Sequence, residues 1–107
     1  MWKVKYHPEA EKEFDRLDGS VRKIVLKGII KVSENPLPQN QGGLGKPLGN
    51  KSGNDLTGLL KIKYKSIGLR VVYKLIIDEE TNEMYILVIS ARSDNEVYNL
   101  AYKRKDQ

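Results

Sequence analysis

Apolar and polar positions change period several times along this chain, and each change marks an element. Trp2 to Tyr6 alternates apolar residues with Lys3 and Lys5, the two-residue period of a half-buried strand. His7-Pro8 ends it. Pro8 suits a first helical turn, Glu9 and Glu11 favour a helix N-terminus, and Ala10, Phe14 and Leu17 recur at i, i+4 and i+7. A short amphipathic helix is therefore expected up to Leu17. Asp18-Gly19 interrupts it, Ser20 is placed to cap a second helix, and Val21, Ile24, Val25, Ile29 and Val32 supply a buried stripe to about Glu34.

From residue 35 to 58 the chain holds three prolines and six glycines with few large apolar groups, which predicts a long loop. Period two returns at Leu59. Leu60, Ile62 and Tyr64 face one way and Lys61, Lys63 and Lys65 the other. A turn near Ser66-Ile67-Gly68 leads into a strand from Leu69 to Ile77, and Asp78 to Asn82 forms the next turn. Met84 to Ser90 is continuously apolar, as in a strand buried on both faces. A last helix runs from about Asp94 to Lys103. The order β-α-α-β-β-β-α predicts an α+β fold with helices packed on a mainly antiparallel, four-stranded sheet. With 107 residues there is room for one domain, 1–107, and one modest core.

The hairpin fixes a facing. A turn over Ser66-Ile67 or over Lys65 to Gly68 pairs Tyr64 with Leu69 and Lys63 with Arg70, and opposed side chains share a face. Lys61, Lys63 and Arg70 then point together, with Tyr64, Leu69, Val71 and Tyr73 toward the core. Such a cluster repels itself and favours an anion. The same pattern also suits lysines that merely solvate an open sheet face.

Charge sharpens this picture. Lys and Arg number 19 against 14 Asp and Glu, a net +5, but residues 44 to 74 alone carry seven basic groups and one acidic. One surface, rather than the whole molecule, is set to meet a polyanion. No apolar run is long enough to cross a bilayer, and the N-terminus lacks the apolar stretch of a signal peptide, so a cytoplasmic protein without membrane contact is expected. There is no cysteine, no cluster with metal-ligand spacing, and one histidine, His7, at a corner where a structural role is expected. Gly42-Gly43-Leu44-Gly45-Lys46-Pro47 lacks the terminal Lys-Ser/Thr of a phosphate loop and precedes no helix. An enzyme built from this chain works with Lys, Arg and Tyr, without metal or cofactor.

The run from Gly58 to Tyr73, with Val88-Ile89-Ser90-Ala91-Arg92 and Glu96-Val97-Tyr98 after it, resembles the RelE/ParE toxin superfamily over nearly the whole chain. In the ribosome-dependent RelE branch the functional residues are two alternating lysines, an arginine on the next strand, an arginine ending the last strand and a tyrosine in the last helix. They match Lys61, Lys63, Arg70, Arg92 and Tyr98. The resemblance implies a toxin of a type II toxin–antitoxin system, neutralised by a cognate antitoxin, that cuts mRNA on the 70S ribosome. Attack of a 2′-hydroxyl on the adjacent phosphorus needs a base, cations for the phosphorane and an acid for the 5′-oxygen. By resemblance Arg70 and a lysine bind the phosphate, and Arg92 is the leaving-group acid or a second clamp. Tyr98 stacks on a base or helps to position it, and the base is Lys63 or Lys61. Lys65, Lys46 and Lys51 are expected RNA contacts, the last two with 16S rRNA. Asp94 and Glu96 depart from relatives that carry extra basic groups there. The rival readings are a ParE-like toxin that poisons DNA gyrase and a non-catalytic basic binding module.

Overall fold

A computed structural model describes residues 1–51 and 53–107, with every side chain among them except that of Lys51. Its elements are β1 (Lys3–Tyr6), α1 (Pro8–Asp15), α2 (Gly19–Ser33), β2 (Lys46–Lys51), β3 (Asn54–Tyr64), β4 (Leu69–Ile77), β5 (Asn82–Ser90) and α3 (Asp94–Arg104). The strands form a sheet of order β1-β5-β4-β3-β2, in which β1 runs parallel to β5 and the other pairs are antiparallel. The α+β class and the element order agree with the sequence reading. The strand count does not: among the described residues the sheet has five strands, because β2 forms inside the expected loop and β3 begins at Asn54, before Leu59. β2 is an edge strand of sequence Lys-Pro-Leu-Gly-Asn-Lys with a register shift between Pro47 and Gly49. Proline is tolerated at such an edge, and so short an irregular strand shows no alternation.

Helices cover both faces. On one, α1 and α2 pack through Ala10, Val25, Ile29 and Val32 against Leu60, Val71, Tyr73, Met84, Ile86 and Ile89. On the other, Val97, Tyr98 and Ala101 of α3 pack against Leu59, Val72, Leu87 and Val88. The uninterrupted apolar run in β5 thus serves two cores, as expected of a strand buried on both faces. Ile24 is 44% exposed, contrary to the expected stripe, because it lies on the flank of the line through Val25, Ile29 and Val32. α2 begins at Gly19 with Asp18 at the cap, and Ser20 donates to Asp18 Oδ2 at 2.8 Å instead of capping the helix itself. His7 caps α1, accepting from Glu9 N–H at 3.0 Å, and its Nε2 meets Gln107 Oε1 at 2.8 Å. Among the described residues no helix is long and apolar enough to cross a membrane.

Two tyrosines pin the helical layer and the long connection. Tyr64 donates to Val25 O at 2.7 Å, and Tyr73 donates to Pro36 O at 2.8 Å. Burial raises both phenols above their ordinary pKa, so they remain donors. Each needs a glycine beside it: a Cβ on Gly28 or Gly45 would overlap the hydroxyl of Tyr64 or Tyr73, respectively.

β5 carries a bulge. Val72 pairs with Val88 and Tyr73 with Ile86, which leaves Leu87 without an opposite residue. Its carbonyl accepts from Arg104 Nη1 at 2.9 Å. Arg104, 9% exposed, also grips Glu13 through both guanidinium ends, at 2.9 and 3.1 Å, and Glu13 Oε1 accepts from Ile89 N–H at 3.1 Å. Arg104 is therefore a buried anchor, although its place in the last turn of α3 would suit a solvated cation.

Truncating one partner of a buried pair strands the other, so Arg104→Ala and Glu13→Ala should each lower stability by about 3 kcal/mol or more in urea unfolding, and the double variant by much less than the sum. Gly28→Ala should also destabilise, despite the higher helix propensity of alanine. Pairing it with Tyr64→Phe should recover part of the loss in thermal melts.

Candidate RNA-cleavage site

β3 and β4 are joined by Lys65 to Gly68, a 3₁₀ turn over Lys65–Ile67 closed by Gly68 at φ +62°. This even-numbered link keeps Tyr64 opposite Leu69 and Lys63 opposite Arg70. Lys61, Lys63 and Arg70 accordingly share one face, while Ile62, Tyr64, Leu69, Val71 and Tyr73 turn to the helical hairpin. β2 adds to this face what the loop reading missed: Lys46 stands opposite Lys61 in the β2–β3 register and is exposed. Lys65, in the turn, lines a concavity of about 160 Å³ with Lys63, Tyr64, Gly68, Leu69 and Arg70. The backbone of Lys51 pairs with Asn54, but its side chain, expected to contact RNA, lies outside the described residues.

The cationic face is not the open sheet surface of the alternative reading, because α3 lies across part of it. Tyr98, 3% exposed, has its ring in the second core. Lys61 Nζ donates to its hydroxyl at 3.4 Å and lies 6.0 Å from the ring centroid. The hydroxyl is what Tyr98 brings to the site, and in this arrangement its buried ring offers no surface for a base to stack on.

Arg70 has a side chain only 19% exposed, with Nε 2.7 Å from Asp94 Oδ1. The contact is a close charge pair rather than an aligned hydrogen bond, since the buried Nε–H points to no acceptor. Arg92 does not end the strand: β5 stops at Ser90, opposite Arg70, and Arg92 lies in the bend before α3. Its N–H donates to Ser90 Oγ at 3.0 Å, and its exposed guanidinium is 3.9 Å from Glu96 Oε2. Arg92 also borders an open depression that it shares with Glu13, Arg16 and Ser90. The structure thus gathers Lys46, Lys61, Lys63, Arg70 and the Tyr98 hydroxyl on one surface, with Arg92 tied to the start of α3 beside it. A wider depression of about 610 Å³ between α1 and α2, lined by Phe14, Gly19, Arg22 and Leu26 among others, contains none of these groups.

The Arg92–Glu96 contact is an i,i+4 pair that spacing offers, whereas the pairing of Asp94 with Arg70 on β4 was not readable from spacing. Acids in the first turn of a helix are favoured by its dipole whatever they face. Among the described residues no three His, Asp or Glu side chains converge on a point that would hold a metal ion. The chemistry on offer is that of ammonium, guanidinium and phenol groups: binding a phosphate, stabilising added negative charge and moving a proton.

The chain and its fold are similar to known proteins. The chain is 30% identical to the mRNA interferase toxin RelE of Escherichia coli K12 over 92% of each chain. An arginine double mutant of E. coli toxin RelE in the free state superposes with a TM-score of 0.72 at 26% identity, covering 96% of each chain. The same mutant in complex with an antitoxin RelB peptide gives 0.67 at 26% identity, again over 96% of each chain. Residues 4–96 match the family model described as ParE toxin of type II toxin–antitoxin system, parDE. The chain belongs to the ParE toxin family.

Proposed function

We propose that this protein is a toxin of the RelE type, an endoribonuclease that cuts mRNA in the ribosomal A site and so stops translation. The observation that carries this reading is the register of the β3–β4 hairpin, which sets Lys63 directly against Arg70 and puts Lys61 and Lys46 on the same face, beside the Tyr98 hydroxyl. Four cations on one sheet surface repel one another, and a phosphodiester relieves that repulsion. Similarity at 30% identity to an mRNA interferase, over 92% of both chains, supports RNA as the substrate over gyrase, although the family carries the ParE name.

In the proposed reaction the 2′-oxygen forms a bond to the adjacent phosphorus as the bond from phosphorus to the 5′-oxygen breaks. Lys61 or Lys63 is assigned as the base that takes the 2′-proton. Arg70, with the remaining lysine, holds the non-bridging oxygens, whose charge grows in the phosphorane. Arg92 is assigned to clamp a second phosphate or to supply the proton to the leaving 5′-oxygen. Tyr98 acts through its hydroxyl on Lys61, and its buried ring fixes that hydroxyl in place. Lys46 and Lys65 extend the surface toward 16S rRNA or the message. The ribosome supplies the positioning that this shallow site lacks.

A cognate antitoxin is the proposed protein partner, as an E. coli RelE mutant has been solved with an antitoxin peptide. The basic segment from 44 to 74 gives an acidic partner a long-range target.

Primer extension on a reporter message should reveal cuts when programmed ribosomes are present and few on naked RNA; gyrase-linked DNA breaks with intact messages would move the protein to the other branch. Arg70→Ala should reduce single-turnover cleavage on programmed ribosomes by roughly a hundredfold, the loss of about 3 kcal/mol of transition-state stabilisation, while keeping a cooperative melt. Tyr73→Ala, which empties a buried core position, should instead destabilise by about 3 kcal/mol and act on cleavage only through folding. Antitoxin association, followed by stopped flow, should slow as salt rises.

A further inference from the structure

Arg70 is already in close contact with a carboxylate of the first turn of α3, and a second carboxylate of that turn lies near the exposed Arg92. Asp94 Oδ1 lies 2.7 Å from Arg70 Nε, and Glu96 Oε2 lies 3.9 Å from Arg92 Nη1. The start of α3 holds the acids there. Ser93 occupies the N-cap, its Oγ accepts from Glu96 N–H at 3.4 Å, and the helix dipole favours negative charge over this first turn. The Asp94–Arg70 contact is close yet poorly aligned: Nε–H makes no hydrogen bond, and the aspartate side chain is 56% exposed. A pair built to hold the fold would spend that donor; the Arg104–Glu13 pair, with both guanidinium ends engaged, does so. The carboxylate of Asp94 therefore neutralises Arg70 without locking it.

We propose that Asp94, assisted by Glu96, is an internal competitor for the substrate phosphate, and that this competition sets the protein's preference for RNA held in place by another body. The inference rests on the assignment of Arg70 to the scissile phosphate. A free RNA phosphate must displace the carboxylate and loses part of its binding energy in doing so. An RNA presented by the ribosome arrives at high effective concentration, and its remote contacts supply what the exchange costs. Asp94 makes no contact with the reacting atoms in this scheme; it determines which form of the substrate is cut.

The test compares wild type with Asp94→Asn and Asp94→Ser, the second keeping a residue that suits a helix start. A short all-2′-deoxy analogue of the cleavage sequence serves as a non-cleavable probe in titrations at several salt concentrations, beside steady-state cleavage of the matching RNA with and without ribosomes. Both variants should bind the probe about fivefold tighter at low salt, with the gain shrinking as salt rises. Cleavage of free RNA should show a lower KM by a similar factor, narrowing the gap between free and ribosome-held RNA. In an Arg70→Ala background the gain should vanish. The proposal is overturned if neither variant binds tighter, if the gain survives without Arg70, or if kcat on ribosomes collapses with no change in binding, which would make Asp94 a positioning residue for Arg70. If wild type cuts nothing on ribosomes, the endoribonuclease reading fails, but the probe titrations still decide whether Asp94 competes for Arg70.

Discussion

At Leu87 the β5 strand carries one residue more than its partner, and the backbone carbonyl exposed there is bound by Arg104. That guanidinium cannot stay buried alone, because an uncompensated charge in the interior costs several kcal/mol. Glu13 of α1 neutralises it through two parallel hydrogen bonds and also takes up the N–H of Ile89, beyond the last β1 pairing at Ile86. One bulge thus joins α1, β5 and α3, elements from both faces of the sheet. The site depends on this joint, since α3 has a modest apolar face of Val97, Tyr98 and Ala101 with which to hold itself down.

With α3 fixed, its two ends have different tasks. The C-terminal end carries Arg104 into the joint, and Lys74 donates to Lys105 O at 2.6 Å just beyond it. The N-terminal end delivers Asp94, Glu96 and Tyr98 to the cationic hairpin. The hairpin faces its cations toward α3 only because its connection has an even number of residues; one residue more would rotate Lys63 and Arg70 out of register. Like charges on that surface work against stability, and the acids of α3 offset part of the repulsion in the free protein. In the proposed reaction, phosphate binding and self-neutralisation draw on the same arginine, so stability and affinity for free RNA oppose each other at Arg70.

The sequence made the hairpin legible because strand alternation and turn parity are local properties. Lys61, Lys63, Arg70, Leu69 and Val71 all face as alternation requires. β5 was equally legible, since no polar residue interrupts its apolar run. Local pattern failed where the deciding partner lay far along the chain. Arg104 reads as a solvated helix end until Glu13, 91 residues away, and the Leu87 carbonyl are seen beside it. β2 was hidden by Pro47 and Gly49, residues that predict a loop and are admitted here by an edge strand. Ile24 has the composition of a core residue and the angular position of a surface one. Tyr98 was placed correctly on α3, but its burial depends on packing against Val72 and Val88, which the sequence does not reveal. The Asp94–Arg70 contact likewise follows from where α3 crosses the sheet, a property of tertiary packing.

In the proposed reaction the cationic face cleaves RNA through the neighbouring 2′-hydroxyl. End-group analysis of the products made on programmed ribosomes tests it most directly. The expected products are a 2′,3′-cyclic phosphate on the upstream fragment and a 5′-hydroxyl on the downstream one, with no cut in a message carrying a single 2′-deoxynucleotide at the scissile position. A 5′-phosphate product, or undiminished cleavage of the deoxy-substituted message, would contradict it.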